Sequence, residues 1–171
     1  GEHTESFEFD ALVQTSRVDG ENHRTNYEYD DLHRLEDVVY RTNSSGTNHP
    51  DNRHITYYKN GLVHTVTYQN DPGSIRNVTS NYDLLDRLTS EISAGVTHTY
   101  PEYDKAGNRK QTTYGRTGTT LVCTYDALNR LETCEERSNA TTPSGRTTIY
   151  AYDLGGKVTR KTLPNDNATT T

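Results

Sequence analysis

The stretch YDALNRL at residues 125–131 decides the fold, because variants of it recur as YDDLHRL at 29–35 and YDLLDRL at 82–88. A catalytic site needs its residues once, whereas a repeated motif is typical of architecture. With the Asp of the motif as position zero, the chain carries seven copies, and six of them keep the Asp. The aromatic residues before position zero lie 20, 28, 25, 21, 22 and 27 residues apart, at Phe9, Tyr29, Tyr57, Tyr82, Tyr103, Tyr125 and Tyr152. Such periods predict a repeat protein whose units pack against their neighbours.

Each copy has the pattern of a β-hairpin. The incoming segments alternate, as in YEYD at 27–30 and IYAYD at 149–153, and the outgoing segments resemble RLEDVVY at 34–40. Glycine and proline fall mostly between copies, where they interrupt ladders, and only Pro101 lies inside a predicted strand, which indicates a bulge or an edge. The interpretation is an all-β fold with about fourteen short strands and no helix. It is a single array over residues 1–171, with hairpin units near 7–26, 27–54, 55–79, 80–98, 99–120, 121–148 and 149–171.

The composition predicts a thin sheet. Leu, Ile, Val and Phe total only 28 of 171 residues, whereas there are 28 Thr and 13 Tyr, which suit a pleated, half-buried surface. The net charge of -6 argues against a nucleic-acid partner, which would need a basic stripe. No apolar run approaches the roughly 18 residues of a membrane span. The sequence starts with Gly1, which suggests a processed product or a piece of a longer protein.

Turn chemistry explains the repeated Asp. An Asp that opens a turn accepts hydrogen bonds from backbone N–H groups further on, and a cation four places later can pair with it. Glycine three places after position zero, at Gly61, Gly107 and Gly156, fits a turn position with positive φ. The residue five places after position zero, Leu35, Val63, Leu88, Leu131 or Val158, is expected to face the core. The predicted turn residues are Asp10, Asp30, Asp83, Asp104, Asp126 and Asp153, with Arg34, Arg87, Arg130 and Lys157. The alternative is a row of carboxylates that binds a metal or performs acid–base chemistry. Turn chemistry already explains the pattern without it.

The two cysteines occupy a pair of positions that elsewhere hold apolar residues. Cys123 lies three before position zero and Cys134 eight after it, like Tyr27 with Val38 and Ile55 with Val66. The same count pairs Phe7 with Val18 and predicts a two-residue loop at Leu128-Asn129. We expect a disulfide between Cys123 and Cys134, which would indicate an oxidising compartment; two buried thiols are the alternative.

Other motifs are weaker. Four N-glycosylation sequons begin at Asn43, Asn77, Asn139 and Asn167, but Asn, Ser and Thr are so abundant that sequons alone decide little. HPDNRH at 49–54 offers His49, Asp51 and His54 as metal ligands, although a proline-bearing polar loop is the simpler interpretation. No phosphate loop, nucleophile elbow or zinc spacing is present in the sequence. We therefore expect no catalytic residues, no cofactor and no metal.

The repeated units resemble the YD-repeat, or Rhs-repeat, family. The resemblance rests on YEYDDLHRL at 27–35, YDKAGNR at 103–109 and TYDALNRLETC at 124–134, and it covers residues 7–163. It implies β-hairpin ribbons that spiral into the wall of a hollow shell, as in bacterial toxins that enclose a cargo and in animal teneurin adhesion proteins. Self-cleaving toxin shells carry paired motifs of which this chain has only DPGS at 71–74, so protease activity is not implied.

Three functional hypotheses follow, and none of them is an enzyme. The first is a structural wall module of a secreted or cell-surface protein, as a shell or as a head-to-tail filament of copies. Joining Thr171 to the next Gly1 would place Tyr152 and the following Phe9 28 residues apart, within the range inside the chain. The second is a fragment of a toxin-encapsulating shell, and the third is an adhesion module that binds a cell-surface glycan. The expected partners are copies of the chain or adjacent repeats, a cargo, or a glycan.

Overall fold

The computed structural model describes residues 4–41, 49–69, 71–73, 75–139, 141, 146–164 and 169–170. These residues form antiparallel strands and no helix, and the strands are hydrogen-bonded in chain order in a 15-stranded sheet. The predicted all-β fold of tandem hairpins is therefore confirmed. The strands are β1 Ser6–Phe9, β2 Gln14–Val18, β3 Arg24–Tyr29, β4 Leu35–Arg41, β5 Arg53–Tyr57, β6 Val63–Tyr68, β7 Val78–Tyr82, β8 Leu88–Ser93, β9 Val96–Thr99, β10 Gln111–Thr113, β11 Thr120–Tyr125, β12 Leu131–Arg137, β13 Arg146–Tyr152, β14 Val158–Thr162 and β15 Thr169–Thr170.

The chain forms two compact units. The first comprises Gly1–Ser80 with Ile92–Gly95, and the second comprises Asn81–Glu91 with Val96–Thr171. In the first unit, β1 to β6 pair successively, as three hairpins and the ladders between them. In the second unit, β9 to β15 pair in the same successive way. The division into seven hairpin units, with the boundaries given above, stays a prediction.

Six of the hairpin turns have three loop residues, the Asp126 turn among them, so the predicted two-residue loop at Leu128-Asn129 is wrong. Asp126 donates its N–H to the carbonyl of Arg130 (2.9 Å), and Asn129 donates to the carbonyl of Asp126 (3.0 Å). The register shifts between Thr124 and Tyr125, which absorbs the extra residue as a β-bulge. This is the three-residue hairpin loop, a type I turn followed by a residue with positive φ.

The third loop residue has positive φ in six of the hairpins. Glycine holds the position in three, as predicted, with φ of 90° at Gly61, 89° at Gly107 and 83° at Gly156. His33, Asp86 and Asn129 hold it in the others, with φ of 60°, 62° and 60°. Asn and Asp tolerate this conformation better than most residues with a Cβ. The first hairpin differs, because Asp10 donates its N–H to the carbonyl of Val13, one residue earlier than in the other turns (3.0 Å).

The shorter first turn changes the register of its hairpin. Tyr27 pairs with Val38 and Ile55 pairs with Val66, which confirms two of the predicted apolar pairs. Phe7, however, pairs with Arg17, and Val18 pairs with Ser6. The predicted pairing of Phe7 with Val18 is wrong, because counting from the Asp assumes the longer turn.

The sheet has very little core. Val38 is the one fully buried hydrophobic residue among those described, and the other fully buried side chains belong to Asn52 and Thr120. Leu35, Val63, Leu88 and Leu131 are half-buried, whereas Val158 is 47% exposed, so the expectation of a core-facing residue is wrong there. The Thr- and Tyr-rich composition is thus expressed as a sheet with partly exposed faces.

Pro101 lies outside the strands of its hairpin. The incoming side of that hairpin makes one isolated bridge, between Tyr103 and Arg109. The carbonyl of Glu102 accepts hydrogen bonds from the N–H groups of both Lys110 (2.9 Å) and Gln111 (3.3 Å). Two residues thus oppose one on the outgoing side, as they do in hairpins that have no proline. The expectation that Pro101 lies inside a strand is wrong, and the bulge or edge predicted from it stays a prediction.

Candidate functional site: the interlocked hairpin turns

The Asp at position zero holds its own turn through backbone N–H groups. In the Asp126 turn, Oδ1 accepts hydrogen bonds from the N–H of Leu128 (2.9 Å) and of Arg130 (3.0 Å). Oδ1 of Asp30, Asp83 and Asp104 accepts from the same two positions in its own turn. These carboxylates satisfy loop N–H groups that have no ladder partner. They are therefore occupied within their own hairpins.

The Arg four places later closes the turn with an ion pair. The Nε–Oδ2 distance is 2.7 Å in each of three pairs, Arg34–Asp30, Arg87–Asp83 and Arg130–Asp126. The paired side chains are 19–30% exposed, so the pairs are partly shielded from water. The guanidinium hydrogen bond is the main cause that lowers the pKa of Asp30 and of Asp83. For Asp126 the backbone N–H of Arg130 lowers the pKa most.

The same arginines reach the following hairpin. The guanidinium of Arg34 lies 4.4 Å from the ring centroid of Tyr57, and its Nη1 donates to the carbonyl of Tyr58 (3.3 Å). Arg130 repeats the arrangement on Tyr152 at 4.5 Å and on the carbonyl of Asp153 at 3.2 Å. Arg87 does so on Tyr103 at 4.7 Å and on the carbonyl of Asp104 at 3.4 Å. One cation therefore closes its own turn and joins it to the next by a cation–π contact and a hydrogen bond.

The tyrosine before position zero makes the reverse connection. The hydroxyl of Tyr57 donates to the carbonyl of Leu35 in the preceding hairpin (2.7 Å). Tyr29, Tyr103, Tyr125 and Tyr152 donate in the same way to Gln14, Leu88, Arg109 and Leu131, at 2.9, 2.6, 2.9 and 2.8 Å. Burial raises the pKa of Tyr29, Tyr57 and Tyr125, because it disfavours the charged phenolate. We call the Asp and Arg of one hairpin together with the Tyr of the next an interlock.

Other hairpins lack part of the interlock. Tyr58 takes the place of the Asp in one turn, and its hydroxyl donates to the carbonyl of Ser80 (3.3 Å). Asn108 replaces the Arg in the Asp104 turn and bonds Asp104 Oδ2 (2.8 Å) and Asn129 Oδ1 (3.1 Å). In the last turn, Asp153 Oδ1 accepts from the N–H of Lys157 (2.9 Å). In the first turn, Asp10 Oδ1 accepts from the N–H groups of Leu12 and Val13.

The reach of the arginine into the next hairpin was not anticipated from the sequence. Sequence reasoning assigned Arg34, Arg87 and Arg130 to their own turns alone. A signal was present, because each of these cations is followed, one hairpin later, by an aromatic residue before position zero. Neighbouring hairpins lie two strand spacings, about 10 Å, apart, a span that a long Arg side chain can help to bridge.

The two cysteines lie directly opposite each other on β11 and β12. They form a disulfide with an S–S distance of 1.99 Å. The covalent link thus lies in the same hairpin as the Asp126 turn.

The sequons lie in unlike surroundings. The side-chain oxygen of Asn77 accepts the N–H of Tyr68 (2.7 Å), and Asn77 is half-buried. Asn139 is exposed, and its Oδ1 accepts the N–H of Thr141 (3.0 Å). Asn43 and Asn167 lie outside the described residues. Whether any of the four carries a sugar stays a prediction.

Within HPDNRH, His49 and Asp51 lie near each other, whereas His54 pairs with a residue of another strand. His54 Nδ1 lies 3.1 Å from Asp37, and Asp51 Oδ1 pairs with Arg76 at 2.5 Å. His49 Nδ1 lies 3.8 Å from Asp51 Oδ2. In the described part of the chain, no group of three or more His, Cys, Asp and Glu could hold a metal ion.

The fold and the interlocks define an antiparallel sheet of tandem β-hairpins joined at their turns. Three solved structures share this fold. The crystal structure of TcdB2-TccC3-Cdc42 and that of TcdB2-TccC3 without its hypervariable C-terminal region both match at a TM-score of 0.70 and 18% identity, over 97% of this chain. The Photorhabdus luminescens Tc holotoxin pore with the TccC3-D651A mutation matches at a TM-score of 0.72 and 17% identity, over 96% of this chain.

The likeness shows the fold and is limited to a small part of the larger proteins. The chain spans 9% of the length of each of those three chains. No protein-family model matches the chain, and no curated protein sequence matches it. Membership of the YD-repeat family therefore stays a prediction. No described helix is long and apolar enough to cross a membrane.

Proposed function

We propose that this chain is a non-enzymatic wall segment of a hollow β-hairpin shell within a longer protein. The main support for the proposal is the set of contacts that the recurring polar residues make. Asp, Arg and Tyr of the interlocks bond to their own turn or to the adjacent hairpin. Groups bound in this way join hairpins to one another, which is the task of a wall.

Exposed leucines at the tips of the hairpins support the proposal that this segment packs inside a larger assembly. Leu12, Leu32, Leu85 and Leu128, each two residues after position zero, are 72%, 68%, 72% and 69% exposed. Leu84 and Leu154, one residue after position zero, are fully exposed. Leucines that recur at the tips of successive hairpins would together form an apolar patch, and such patches mark interaction sites. In a shell wall, further chain would cover it.

The finer proposal is a shell that encloses a cargo in a secreted toxin. It is supported by the fold shared with parts of Tc toxin structures, one of them a holotoxin pore. A disulfide fits an extracellular or cell-surface location, because such bonds persist in oxidising compartments. The partners would be adjacent repeats of the same protein on the wall and a cargo in the lumen.

Negative-stain microscopy of the longest native protein that contains this segment tests the proposal. We expect closed, hollow particles with a stain-excluding wall one sheet thick, about 10 Å. Head-to-tail filaments would establish the alternative of a polymer, and solid globular particles would overturn both. A matched variant with Arg34, Arg87 and Arg130 changed to Gln should give the same particles with walls that open at lower denaturant.

Limited proteolysis distinguishes a cargo-bearing shell from an empty one. In a cargo-enclosing shell, a domain beyond the repeats resists protease until the wall opens. The Arg-to-Gln variant should then release it at lower denaturant than the native protein does. Immediate digestion of every non-repeat domain would contradict enclosure of a cargo. The wall function would then still be tested by the microscopy.

A further inference from the structure

The junction between the first and second hairpins lacks the arginine of an interlock. In an interlock, the carbonyl of the arginine accepts the N–H of the Asp at position zero, as the carbonyl of Arg34 does for Asp30 (2.9 Å). In the shorter first turn, the residue whose carbonyl accepts the N–H of Asp10 is Val13 (3.0 Å). A short apolar side chain therefore stands at the structural position of the arginine.

The groups that surround an interlock guanidinium are nevertheless present at this junction. In an interlock they are the carboxylate of the Asp, the ring of the next tyrosine and the carbonyl of the next residue at position zero. The corresponding groups belong to Asp10, Tyr29 and Asp30. The hydroxyl of Tyr29 donates to the carbonyl of Gln14 at 2.9 Å, so this ring is held on the preceding hairpin as the interlock tyrosines are.

A cavity of about 520 Å³ occupies this junction of the first compact unit. Its lining includes Asp10, Val13, Tyr29 and Asp30, and the cavity opens to solvent. It therefore lies among the groups that bind a guanidinium in the interlocks and beside the valine that replaces the arginine. A side chain from outside the chain can enter it.

Each of the three groups has capacity for a further partner. Oδ1 of Asp10 accepts two backbone N–H groups of its own turn, whereas no described side chain donates to its Oδ2. The N–H of Leu12 is the main cause that lowers the pKa of the Asp10 carboxyl, so this group is charged at neutral pH. No cation of the described chain lies over the ring of Tyr29. The carbonyl of Asp30 accepts the N–H of His33 at 2.8 Å and keeps a second lone pair.

The charges around the cavity favour a cation. Glu28 and Asp31 also line it, and neither makes an ion pair with a residue that the structure describes. Arg34 pairs with the Asp30 carboxylate, and His33 is the one basic residue among the described lining residues. Negative charge therefore exceeds positive charge at the place where an interlock would put its guanidinium.

We propose that this cavity binds the arginine side chain of a partner protein segment, with the guanidinium on the Asp10 carboxylate and against the Tyr29 ring. A planar guanidinium can donate to a carboxylate and a carbonyl at once while it stacks on an aromatic ring. The partner thus completes an interlock that the chain itself leaves incomplete. The site goes beyond the wall function, because it would dock another segment, and it is independent of whether the shell closes.

Nuclear magnetic resonance titration of the full 171-residue chain tests the site. The probe is N-acetyl-L-arginine methylamide, and its analogues are the corresponding lysine and citrulline amides and methylguanidine. We expect saturable shifts at Val13, Tyr29 and Asp30 with the arginine amide. The lysine amide should bind more weakly, because an ammonium lacks the planar fork, and the neutral citrulline amide should give no saturable shift. Methylguanidine should also bind more weakly, because it lacks the methylene stem that can pack on Val13.

The decisive variant is Asp10→Asn. It removes the charge but keeps a side-chain oxygen that can accept the N–H groups of the turn. We expect the arginine amide to bind about fivefold more weakly, close to the upper value for an exposed ion pair. Asp153→Asn, the same change at position zero of the last turn in the second unit, is the matched control and should bind as the native chain does.

A second variant supplies the arginine from the chain itself. In Val13→Arg the new guanidinium should occupy the cavity, so that the arginine amide binds at least about fivefold more weakly and the urea midpoint rises. Val13→Ala leaves the cavity open and should keep its affinity within about twofold.

Three results would overturn the proposal. One is the absence of saturable binding by the arginine amide, or equally tight binding of the citrulline amide. Another is undiminished binding to Asp10→Asn or to Val13→Arg, or an equal loss in Asp153→Asn, since the ligand would then lie elsewhere. The third is methylguanidine binding as tightly as the arginine amide, which would leave a site for free guanidines and not for a protein side chain.

Discussion

Two successive turns of the second unit carry different side chains four residues after the Asp, and this difference separates closing a hairpin from joining it to the next. Asp104 and Asp126 both accept backbone N–H groups two and four residues later. Asn108 follows the first and Arg130 follows the second. The amide nitrogen of Asn108 bonds Asp104 Oδ2 at 2.8 Å, and Nε of Arg130 bonds Asp126 Oδ2 at 2.7 Å. At this position a neutral side-chain donor therefore bonds the Asp as directly as a charged one does.

The two side chains differ in what they reach. Asn108 extends to Asn129 in the tip of the next turn, at 3.1 Å. Arg130 extends to the ring of Tyr152 and the carbonyl of Asp153 in the strand that enters the next turn. The long guanidinium thus fixes the neighbouring strand, whereas the short amide contacts the neighbouring loop. We infer that junctions with arginine are the stiffer joints of the array.

Acidification should have the largest effect, because it affects several turns at once. Hydrogen bonds from side chains and backbone lower the pKa of Asp30, Asp83, Asp104 and Asp126. A lowered folded-state pKa gives stability that is fully present above the unfolded value of about 3.9 and is lost as pH falls through the lowered value. Urea midpoints measured from pH 7 to pH 2 should therefore fall steeply below about pH 4.

A variant sharpens this acid response. Asp126→Asn should flatten the curve below about pH 4, because one of the linked carboxylates no longer titrates. A chain whose midpoint is constant down to pH 2 would contradict the role assigned to the turn carboxylates. High salt should weaken the Asp126 contribution more than that of Asp104, whose side-chain partner is a neutral amide.

Removal of the disulfide should have the next largest effect. Cys123 and Cys134, 11 residues apart in sequence, link the two strands of the hairpin that carries the Asp126 turn. Changing both to Ala should lower the free energy of unfolding by about 2–4 kcal/mol, as measured in urea. Changing both to Val, which imitates the apolar pair at Ile55 and Val66, should recover part of the loss. Identical unfolding of the native chain with and without reductant would refute this prediction.

The sequence predicted the hairpins better than the links between them. Local rules suffice for a hairpin, since Asp at position zero and Gly at Gly61, Gly107 and Gly156 specify the turn. The bulge between Thr124 and Tyr125 follows from the positive φ at Asn129, whereas counting from the Cys pair alone gives a loop one residue too short. The cation–π contacts depend on the distance between neighbouring hairpins, which the order of residues does not encode.

Asp126→Ala should cost more than any other single change in the compared turns. It leaves two loop N–H groups without an acceptor and releases Arg130 from its anchor. The matched control is Asp153→Ala, which removes one backbone hydrogen bond, from Lys157. Thermal unfolding should show a clearly larger loss for Asp126→Ala than for Asp153→Ala. Equal losses would mean that the anchor of Arg130 contributes nothing to stability.

A double-mutant cycle isolates the link between hairpins. Arg130→Gln and Tyr152→Leu should show a coupling energy of about 0.5–1 kcal/mol in urea unfolding, the value for a partly exposed cation–π pair. Arg130→Gln with Tyr150→Leu is the control cycle, because the ring of Tyr150 faces Lys161 at 5.7 Å. A coupling near zero with Tyr152 would place the whole effect of Arg130 in its own turn.

The smallest predicted effect is a gain in stability, from placing an arginine at the turn that has an asparagine instead. Asn108→Arg recreates the spacing of Arg130, with Tyr125 available as the next ring. The variant exchanges the 3.1 Å hydrogen bond to Asn129 for a cation–π contact and a charged pair with Asp104. The net stabilisation should be about 0.5 kcal/mol, close to the lower value for exposed cation–π contacts. In Asn108→Arg with Tyr125→Leu the gain should vanish, because the ring that receives the guanidinium is missing. If the gain in stability persists without Tyr125, it comes from the ion pair with Asp104. Arginine at residue 108 would then stabilise its own turn and would not link that turn to the next hairpin.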